Sequence, residues 1–510
     1  MMSSSTAWAA LAAGRIGDAQ RDFGALVAHD PTDGDALLGL AQAFALGGHR
    51  LAAVGAGRRA AAALPDRLDA QLAFAAMLAQ TGNYADAIAP LERAAKLAPG
   101  AVRTLAPLAD AYRLTARPAD ALAAAGAAVA AEPASVEAHV AHGFALLALD
   151  RLEDAEQAFA SALALDPRTP RALRGLGHIA IERARWGDAG ALFDRALAIR
   201  PADADARFHR AVLDLRFGRV REGWHGFGAI VETEIDRARY YYLLCGVPLW
   251  DGSPLGGRRL LVSSSHGLGD HLMMARFFDR LPADGEITIE APPELLALFV
   301  RNFPGRRFVP REPLQSPASM DVHVPVMNLP HALGIADEAG LHAASYLHAD
   351  PARVAAWRRE FAREPGLRQV GIAWRGNPKN RRERWRTAPL ANWAALAAIP
   401  NLRLHALQVD VTDAELASAP FALRRHDFAD MDDTAELIAA LDAVVTVDTS
   451  IVHLAGALGV PTWLANPLMS DFRWGIGRPD SPWYPSLRVV WQTESGAWEP
   501  VFETIAGELR

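Results

Sequence analysis

Three polar residues at positions 448–450 lie where a strand pattern gives way to a helix pattern. Residues 441–446 are rich in β-branched side chains, as buried strands are, and apolar residues then recur at helical spacing as far as Gly459. Thr449 and Ser450 are therefore N-cap candidates. A helix that begins after a parallel strand presents free N–H groups and a partial positive charge, which suit a phosphate. A capped turn without a ligand explains the same pattern.

A glycine loop at residues 266–271 follows another strand pattern at 259–265. Its two glycines permit a tight turn and a close backbone approach, but they are not the full dinucleotide fingerprint. Its aspartate could take a proton from an acceptor hydroxyl, or it could only cap the following helix. The flanking histidines could act as bases or only hydrogen-bond. The candidate residues are His266, Gly267, Gly269, Asp270 and His271.

The segment 375–386 carries six positive side chains against one negative in an acidic protein. A guanidinium group can donate two parallel hydrogen bonds to two phosphate oxygens. This segment therefore predicts a diphosphate site, with a solvated loop as the alternative. RNA binding is less attractive, because no second basic patch with interleaved aromatic residues appears. Arg473 could also reach a phosphate. The aromatic residues beside it could stack on a base or sugar, or fill a crevice; they are Trp474, Trp483 and Tyr484.

Alternating strand and helix patterns position these candidates in the second half of the chain. Two successive sets of strands favour two doubly wound lobes facing a cleft, with ligands at the carboxyl ends of the strands. Helices are predicted at 272–281 and 351–363. The predicted strands are 259–265, 286–290 and 320–326, then 370–374, 402–407, 443–447 and 462–464, with a weaker one at 423–426.

The first half repeats every 34 residues, which indicates a helical solenoid. An alanine stands twelve residues before each repeated proline, and a turn residue stands seventeen before it. Small alanines allow two antiparallel helices to approach closely, and proline ends the second helix. The prolines are Pro31, Pro65, Pro99, Pro133, Pro167 and Pro201.

Composition favours a soluble cytoplasmic protein. The formal charge is −7, which gives no general attraction to nucleic acid or membranes. Cys245 is the single cysteine, so an intramolecular disulfide is excluded and a reducing compartment is expected. The first residues lack the pattern of a signal peptide, and the alanine-rich runs are too weakly apolar to span a bilayer.

The repeats resemble the tetratricopeptide repeat. Residues 83–88 and 152–159 follow that family's pattern closely, and the likeness covers about residues 1–235. The resemblance implies an extended concave surface for a protein or peptide partner. A spacer or a dimerisation arm is the alternative.

Four motifs in the second half, taken in order, are similar to bacterial tetratricopeptide-containing glycosyltransferases of the GT-B fold. These are related to the family-9 heptosyltransferases and, more distantly, to O-linked N-acetylglucosamine transferase. The motifs lie at 267–270, 371–378, 447–459 and 481–485. The resemblance implies an all-α solenoid followed by an α/β domain of two Rossmann-like lobes. The expected parts are the repeat array 1–235, a linker 236–257, an acceptor lobe 258–350 and a nucleotide-sugar lobe 351–510.

The resemblance also implies an inverting, metal-independent transfer from a nucleotide sugar, which is a co-substrate, with no other cofactor. Asp270 falls where heptosyltransferases have a catalytic carboxylate, with His266 and His271 as neighbouring candidates. Those two histidines replace residues that are commonly glutamine and threonine, and Trp385 interrupts the basic segment. The donor and phosphate candidates are Arg375, Asn377, Arg384, Arg386, Asp448, Thr449, Ser450, His453 and Arg473.

Three functions follow from this interpretation. The first is a protein glycosyltransferase whose repeats recruit the acceptor, such as flagellin. The second is a transferase of lipopolysaccharide or glycan assembly whose repeats dock partner enzymes, and the third is a scaffold with a relict transferase domain. The Asp-x-Asp sequences at 203–205 and 430–432 are interpreted as helix starts, so no metal is expected.

Overall fold

The computed structural model describes residues 3–236, 241–311, 316–378 and 383–510. The chain divides into two compact units. The first comprises Met1–Arg210 with Ala229–Val247, and the second comprises Ala211–Gly228 with Pro248–Arg510. Four residues of the predicted phosphate segment, 379–382, lie outside the described residues.

Antiparallel helix pairs build the N-terminal solenoid, as the 34-residue period predicts. The repeated alanines are at most 1% exposed, because each lies where two helices meet. Each repeated proline follows the end of a helix by two residues. The helices are α1 (Ser4–Ala12), α2 (Ile16–His29), α3 (Gly34–Leu46), α4 (Arg50–Ala63), α5 (Leu68–Gln80), α6 (Tyr84–Leu97), α7 (Val102–Leu114), α8 (Pro118–Ala131), α9 (Val136–Ala148), α10 (Leu152–Leu165), α11 (Pro170–Glu182), α12 (Trp186–Ile199), α13 (Ala204–Arg216) and α14 (Val220–Phe227). A short α15 (Tyr241–Leu244) follows.

Two parallel sheets form the second unit. The four-stranded sheet has the order β3-β2-β1-β4, and the six-stranded sheet has the order β10-β9-β8-β5-β6-β7. In each sheet, the chain first adds strands on one side of the sheet's first strand and later adds strands on its other side. The strand order therefore reverses between β1 and β4 in the smaller sheet and between β5 and β8 in the larger one, and each reversal is a topological switch point. The strands are β1 (Arg259–Ser263), β2 (Glu286–Ala291), β3 (Arg307–Pro310), β4 (Val322–Pro325), β5 (Arg368–Ala373), β6 (Leu402–Ala406), β7 (Leu423–Arg424), β8 (Ala443–Thr446), β9 (Thr462–Asn466) and β10 (Leu487–Trp491).

Helices pack on these sheets, and aromatic side chains fill much of the space between the helices and the sheets. Trp393 lies against Phe502 with ring centroids 4.2 Å apart under the larger sheet, and Phe278 lies 5.6 Å from Phe299 beside the smaller one. The helices are α16 (Leu268–Met274), α17 (Leu296–Asn302), α18 (Leu329–Ala332), α19 (Glu338–Leu341), α20 (Pro351–Phe361), α21 (Glu383–Arg386), α22 (Ala394–Ala397), α23 (Asp413–Ser418), α24 (Met431–Ala440), α25 (Ser450–Leu458) and α26 (Glu499–Leu509).

Two details differ from the sequence prediction. The helix expected at 272–281 begins at Leu268, because the Asp270 side chain accepts a hydrogen bond from the Gly267 backbone N–H and fixes the start there. It ends at Met274 and continues as a 3₁₀ helix. The sequence interpretation also missed β3 and β10, both of which are edge strands.

Candidate functional site

The turn after β8 is built as the sequence predicts. The Thr449 hydroxyl accepts a hydrogen bond from the Ile451 N–H at 3.1 Å, so Thr449 is the N-cap and Ser450 is the first residue of α25. Gly459, in the left-handed conformation with φ 75°, ends the helix. The free N–H groups of α25 therefore begin at the carboxyl edge of the larger sheet.

The glycine loop meets the start of α25 directly. A Cβ on Gly269 would lie 2.8 Å from the His453 ring and 3.5 Å from the Ser450 Cα, so no side chain fits there. The loop follows β1 of one sheet, and α25 follows β8 of the other. Two motifs that are about 180 residues apart in the sequence are thus parts of one site.

Asp270 and Arg473 form an ion pair in this site, with 20% and 12% of their side chains exposed. Arg473 also binds Asp471 at 2.6 Å. Burial alone would raise the pKa of Asp270, but the Arg473 guanidinium and the neighbouring histidines outweigh it and hold that pKa below its ordinary value. In this arrangement Asp270 is an anion and a weak base.

The pKa of Asp448 is shifted in the opposite direction from that of Asp270. It is 6% exposed, and burial together with the charge of Asp471 raises its pKa to about 6. Arg386 opposes the shift; its guanidinium donates to the Asp448 backbone carbonyl at 2.9 Å and lies 4.0 Å from the carboxylate. Asp448 therefore titrates nearer to neutral pH than an ordinary aspartate.

The three candidate histidines differ in their surroundings. His271 is fully buried, and its ring nitrogens lie 2.9 Å from the Gly267 carbonyl and 2.8 Å from the Ser264 hydroxyl. The carbonyl can only accept, so Nδ1 carries the proton and donates a hydrogen bond that holds the glycine loop in place. His266 is half-buried, with Nδ1 at 2.7 Å from the Ser265 hydroxyl. This geometry favours a structural role for His271 and leaves His266 at the edge of the site.

His453 is held neutral. Its Nδ1 lies 2.9 Å from the Tyr484 hydroxyl, and its ring stacks on Trp474 with centroids 5.4 Å apart. Burial and the nearby Arg473 lower its pKa to about 3. The aromatic residues Trp474, Trp483 and Tyr484 are at most 2% exposed, so they fill the interior beside the site rather than offering a stacking face.

The expected phosphate residues of the basic segment differ in their surroundings. Arg375 lies between Glu415, at 2.7 Å, and Asp410, at 2.8 Å, so two carboxylates already neutralise it. Arg386 pairs with Glu383 at 2.8 Å and also contacts the Asp448 turn. Asn377 is exposed, and the exposed Arg384 lies over the Trp385 ring at 4.4 Å.

The sequence interpretation missed Arg276. Its guanidinium donates to the backbone carbonyls of Leu341, at 2.6 Å, and Trp483, at 2.7 Å. It also lies 4.6 Å from the Tyr484 ring centroid, where it makes a cation–π interaction. This arginine joins the helix after the glycine loop to the residues around His453, and no local sequence signal indicates it.

Within the described ranges, no set of three or more histidine, cysteine or acidic side chains is grouped as a metal site would be. Across that same part of the chain, the helices are all too short or too polar to cross a bilayer.

Comparison with known proteins supports the repeat array. The tetratricopeptide repeat family matches residues 5–67, 107–170 and 140–204. Protein FlbA of Caulobacter vibrioides is 29% identical over 329 residues, which are 60% of this chain and 54% of that protein. The chain thus spans about half the length of this curated relative.

Two solved structures with likeness to this chain are described as tetratricopeptide repeat proteins. One from Parabacteroides merdae is 14% identical and covers 45% of this chain and 91% of that chain, with a TM-score of 0.41. YrrB, described as having an unusual peptide-binding site, is 18% identical, with coverages of 36% and 95% and a TM-score of 0.28. The family match confirms the predicted tetratricopeptide repeats, and the two parallel sheets confirm the α/β structure expected after them. The resemblance to glycosyltransferases stays a prediction.

Proposed function

We propose that the second unit transfers a sugar from a nucleotide-activated donor to a hydroxyl group. The observation that carries this proposal is the meeting of Gly269 with the start of α25, beside the Asp270–Arg473 pair. Ligands of parallel sheets bind at carboxyl ends near a switch point, and both motifs lie at such ends. Sugar transfer to a hydroxyl requires a base for the hydroxyl proton and positive groups for the departing phosphate. The carboxylate supplies the first, and the arginine and the helix start supply the second.

The donor phosphates belong at the start of α25. Its N–H groups and partial positive charge favour an anion, and Arg473 and Arg386 lie beside the same turn. Arg384 of the same segment is exposed and adds a positive charge, whereas Arg375 is already neutralised by Glu415 and Asp410. Stabilising the charge that develops on the departing diphosphate is the largest expected contribution to the rate.

Asp270 is the proposed general base. In the pair described above it is a weak base, because Arg473 holds its pKa low. A bound diphosphate competes for the Arg473 guanidinium, and its withdrawal leaves Asp270 buried without that partner, which raises the pKa of the carboxylate. Asp270 then takes the acceptor hydroxyl proton. The oxygen bonds to the anomeric carbon as the bond to phosphate breaks, and the nucleoside diphosphate leaves.

The acceptor in this proposal is a protein that the repeats recruit, with flagellin as one candidate by analogy. A concave tetratricopeptide surface suits an extended segment of another protein. An acceptor of lipopolysaccharide or another glycan, with the repeats docking a partner enzyme, is the alternative.

Donor binding gives the first test. The full-length protein is heated with ADP-, UDP-, GDP- and CMP-sugars in turn, and one of them should stabilise it by about 2.7 kcal/mol when present at a hundred times its Kd. The same donor should yield free nucleotide in the presence of acceptor, and a chelator should leave that rate unchanged. A protein that none of the four stabilises, and that releases no nucleotide from any of them, would be a scaffold rather than a transferase.

A further inference from the structure

A cavity of about 340 Å³ lies beside the proposed base within the second unit. The end of α13, the start of α14, the helix α19 and the segment 472–483 form its walls. Arg473 is one of the lining residues, and its guanidinium pairs with Asp270. A single side chain thus reaches both the cavity and the proposed base.

Five buried apolar side chains line this cavity, and each of them is at most 9% exposed. They are Leu215, Val220, Leu341, Phe472 and Trp483. Two further apolar lining residues, Phe217 and Ile476, are 45% and 44% exposed, so they mark the side on which the cavity opens to solvent. An apolar side chain that enters past Phe217 and Ile476 would meet apolar walls inside.

The charged groups that line the cavity already have partners. Arg478 pairs with Glu338 at 2.7 Å and with Asp480 at 2.9 Å. Arg216 donates to the Ser470 backbone carbonyl. A charged occupant would have to disrupt these contacts to be neutralised, whereas an apolar occupant leaves them intact.

The position of the cavity favours the acceptor over the donor as its source of ligand. The donor phosphates are assigned to the start of α25, and the lining residues that the structure describes come from other elements. Sugar rings also carry hydroxyl groups, which the five apolar side chains could not pair. The acceptor hydroxyl, by contrast, must lie at Asp270, one side chain away from the cavity.

We propose that this cavity binds an apolar side chain of a protein acceptor, close in sequence to the hydroxyl that receives the sugar. The inference rests on the proposed transfer, and it selects a protein acceptor rather than a glycan. An extended chain advances about 3.4 Å per residue, so the apolar residue stands about two positions from the modified serine or threonine.

Three peptides test this inference with the donor that stabilises the protein in the thermal test. The first, acetyl-Gly-Phe-Gly-Ser-Gly-Phe-Gly-amide, has phenylalanine two positions on each side of a serine. The second has alanine in both places, and the third has aspartate. The phenylalanine peptide should have a kcat/KM at least about ten times that of the alanine peptide, because burial of a large apolar side chain stabilises its complex. The aspartate peptide should be no better than the alanine peptide.

A substitution at the mouth connects this preference to the cavity. Ile476→Trp places a larger ring where the side chain would enter, and should reduce the ratio of phenylalanine to alanine kcat/KM to about one. Val300→Trp, at a position on α17 that is 55% exposed, is the matched control and should keep the native ratio. A native ratio near one, or a ratio that Ile476→Trp leaves unchanged at an equal melting temperature, would overturn the proposal. So would a preference for the aspartate peptide.

Peptide binding separates this inference from transfer itself. Fluorescein-labelled phenylalanine and alanine peptides are titrated into the same full-length proteins and followed by anisotropy. If no sugar is transferred, tighter binding of the phenylalanine peptide by about tenfold, lost in Ile476→Trp, would support the cavity and remove only the transfer. Equal binding of the two peptides would overturn the cavity assignment. Transfer to a lipopolysaccharide core oligosaccharide but to neither peptide would also overturn it, while retaining the transfer.

Discussion

Gly269 lies against the ring of His453 so closely that a Cβ on the glycine would come within 2.8 Å of His453 Cδ2. His453 cannot retreat, because Tyr484 binds its Nδ1 and Trp474 covers its face. The contact joins α16, which follows β1 of the smaller sheet, to α25, which follows β8 of the larger one. It therefore fixes the distance between Asp270 and the Thr449 turn.

Gly269→Ala should destabilise the second unit by about 1–3 kcal/mol, the usual cost of overpacking. Gly267→Ala is the matched control, since a Cβ there would meet only the Asp270 carboxylate, at an ordinary 3.6 Å. Thermal unfolding of the full-length protein measures both. Equal melting temperatures for the two variants would mean that the site is not packed as described.

Asp270→Asn should lower the rate of sugar transfer by about 10²–10⁴-fold, the usual contribution of a general base. The amide cannot take the acceptor proton, but it keeps the shape of the carboxylate beside Arg473. Thermal stabilisation by the donor should therefore persist. Turnover that stays unchanged would exclude Asp270 as the base and direct attention to Asp448, whose pKa burial and Asp471 raise to about 6.

The protein should lose stability as the pH falls below about 6.5. His405 is fully buried, with its ring nitrogens 2.9 Å from His426 and 2.7 Å from Gln369. Burial, then the charges of His426 and two arginines, lower its pKa to about 3, and burial lowers that of His426 to about 4. The unfolded chain thus binds more protons than the folded one in this range, and stability rises with pH.

At pH 5, His405 alone should lower the free energy of unfolding by about 2 kcal/mol. This pH is about 1.5 units below the pKa of an unfolded histidine, and each unit corresponds to about 1.4 kcal/mol. Urea unfolding at pH 7.5 and pH 5 measures the difference for the whole protein. His405→Gln should reduce that difference, whereas substituting the exposed His29 in the same way should not. A difference that is the same in all three proteins would remove His405 as a source.

Local patterns account for what the sequence predicted well. The Thr449 cap and the end of α25 at Gly459 each depend on residues within a turn or two of one another, and the alanine and proline pattern repeats one unit every 34 residues. Arg375 differs, because its partners Asp410 and Glu415 are brought to it by the fold from 35 and 40 residues away. Isolated in the sequence, it resembles any other basic residue after a strand.

Arg276 was missed for the same reason. It lies in no motif, and its role comes from groups that are distant in the sequence. Its guanidinium binds a carbonyl 207 residues away. Long-range contacts have no periodicity, so burial and partners become visible only once the fold is known.

The turns of the solenoid give a further prediction, because the seventeenth residue before each proline is left-handed throughout. Gly14, Gly48 and Gly82 have φ between 72° and 79°, and Ala116 and Ala184 have φ of 59° and 54° at the equivalent place. An L-residue in this conformation costs about 1–2 kcal/mol. Glycine relieves that cost, although its greater freedom in the unfolded chain offsets part of the gain.

Ala116→Gly should therefore stabilise the solenoid by up to about 1 kcal/mol, which thermal unfolding would show as a higher melting temperature. Ala123→Gly, an exposed position inside α8, should do the opposite, since glycine in a helix interior costs about 1 kcal/mol. The same substitution thus changes sign over seven residues. That reversal follows only if the backbone at residue 116 is left-handed, and two variants destabilised alike would show that it is not.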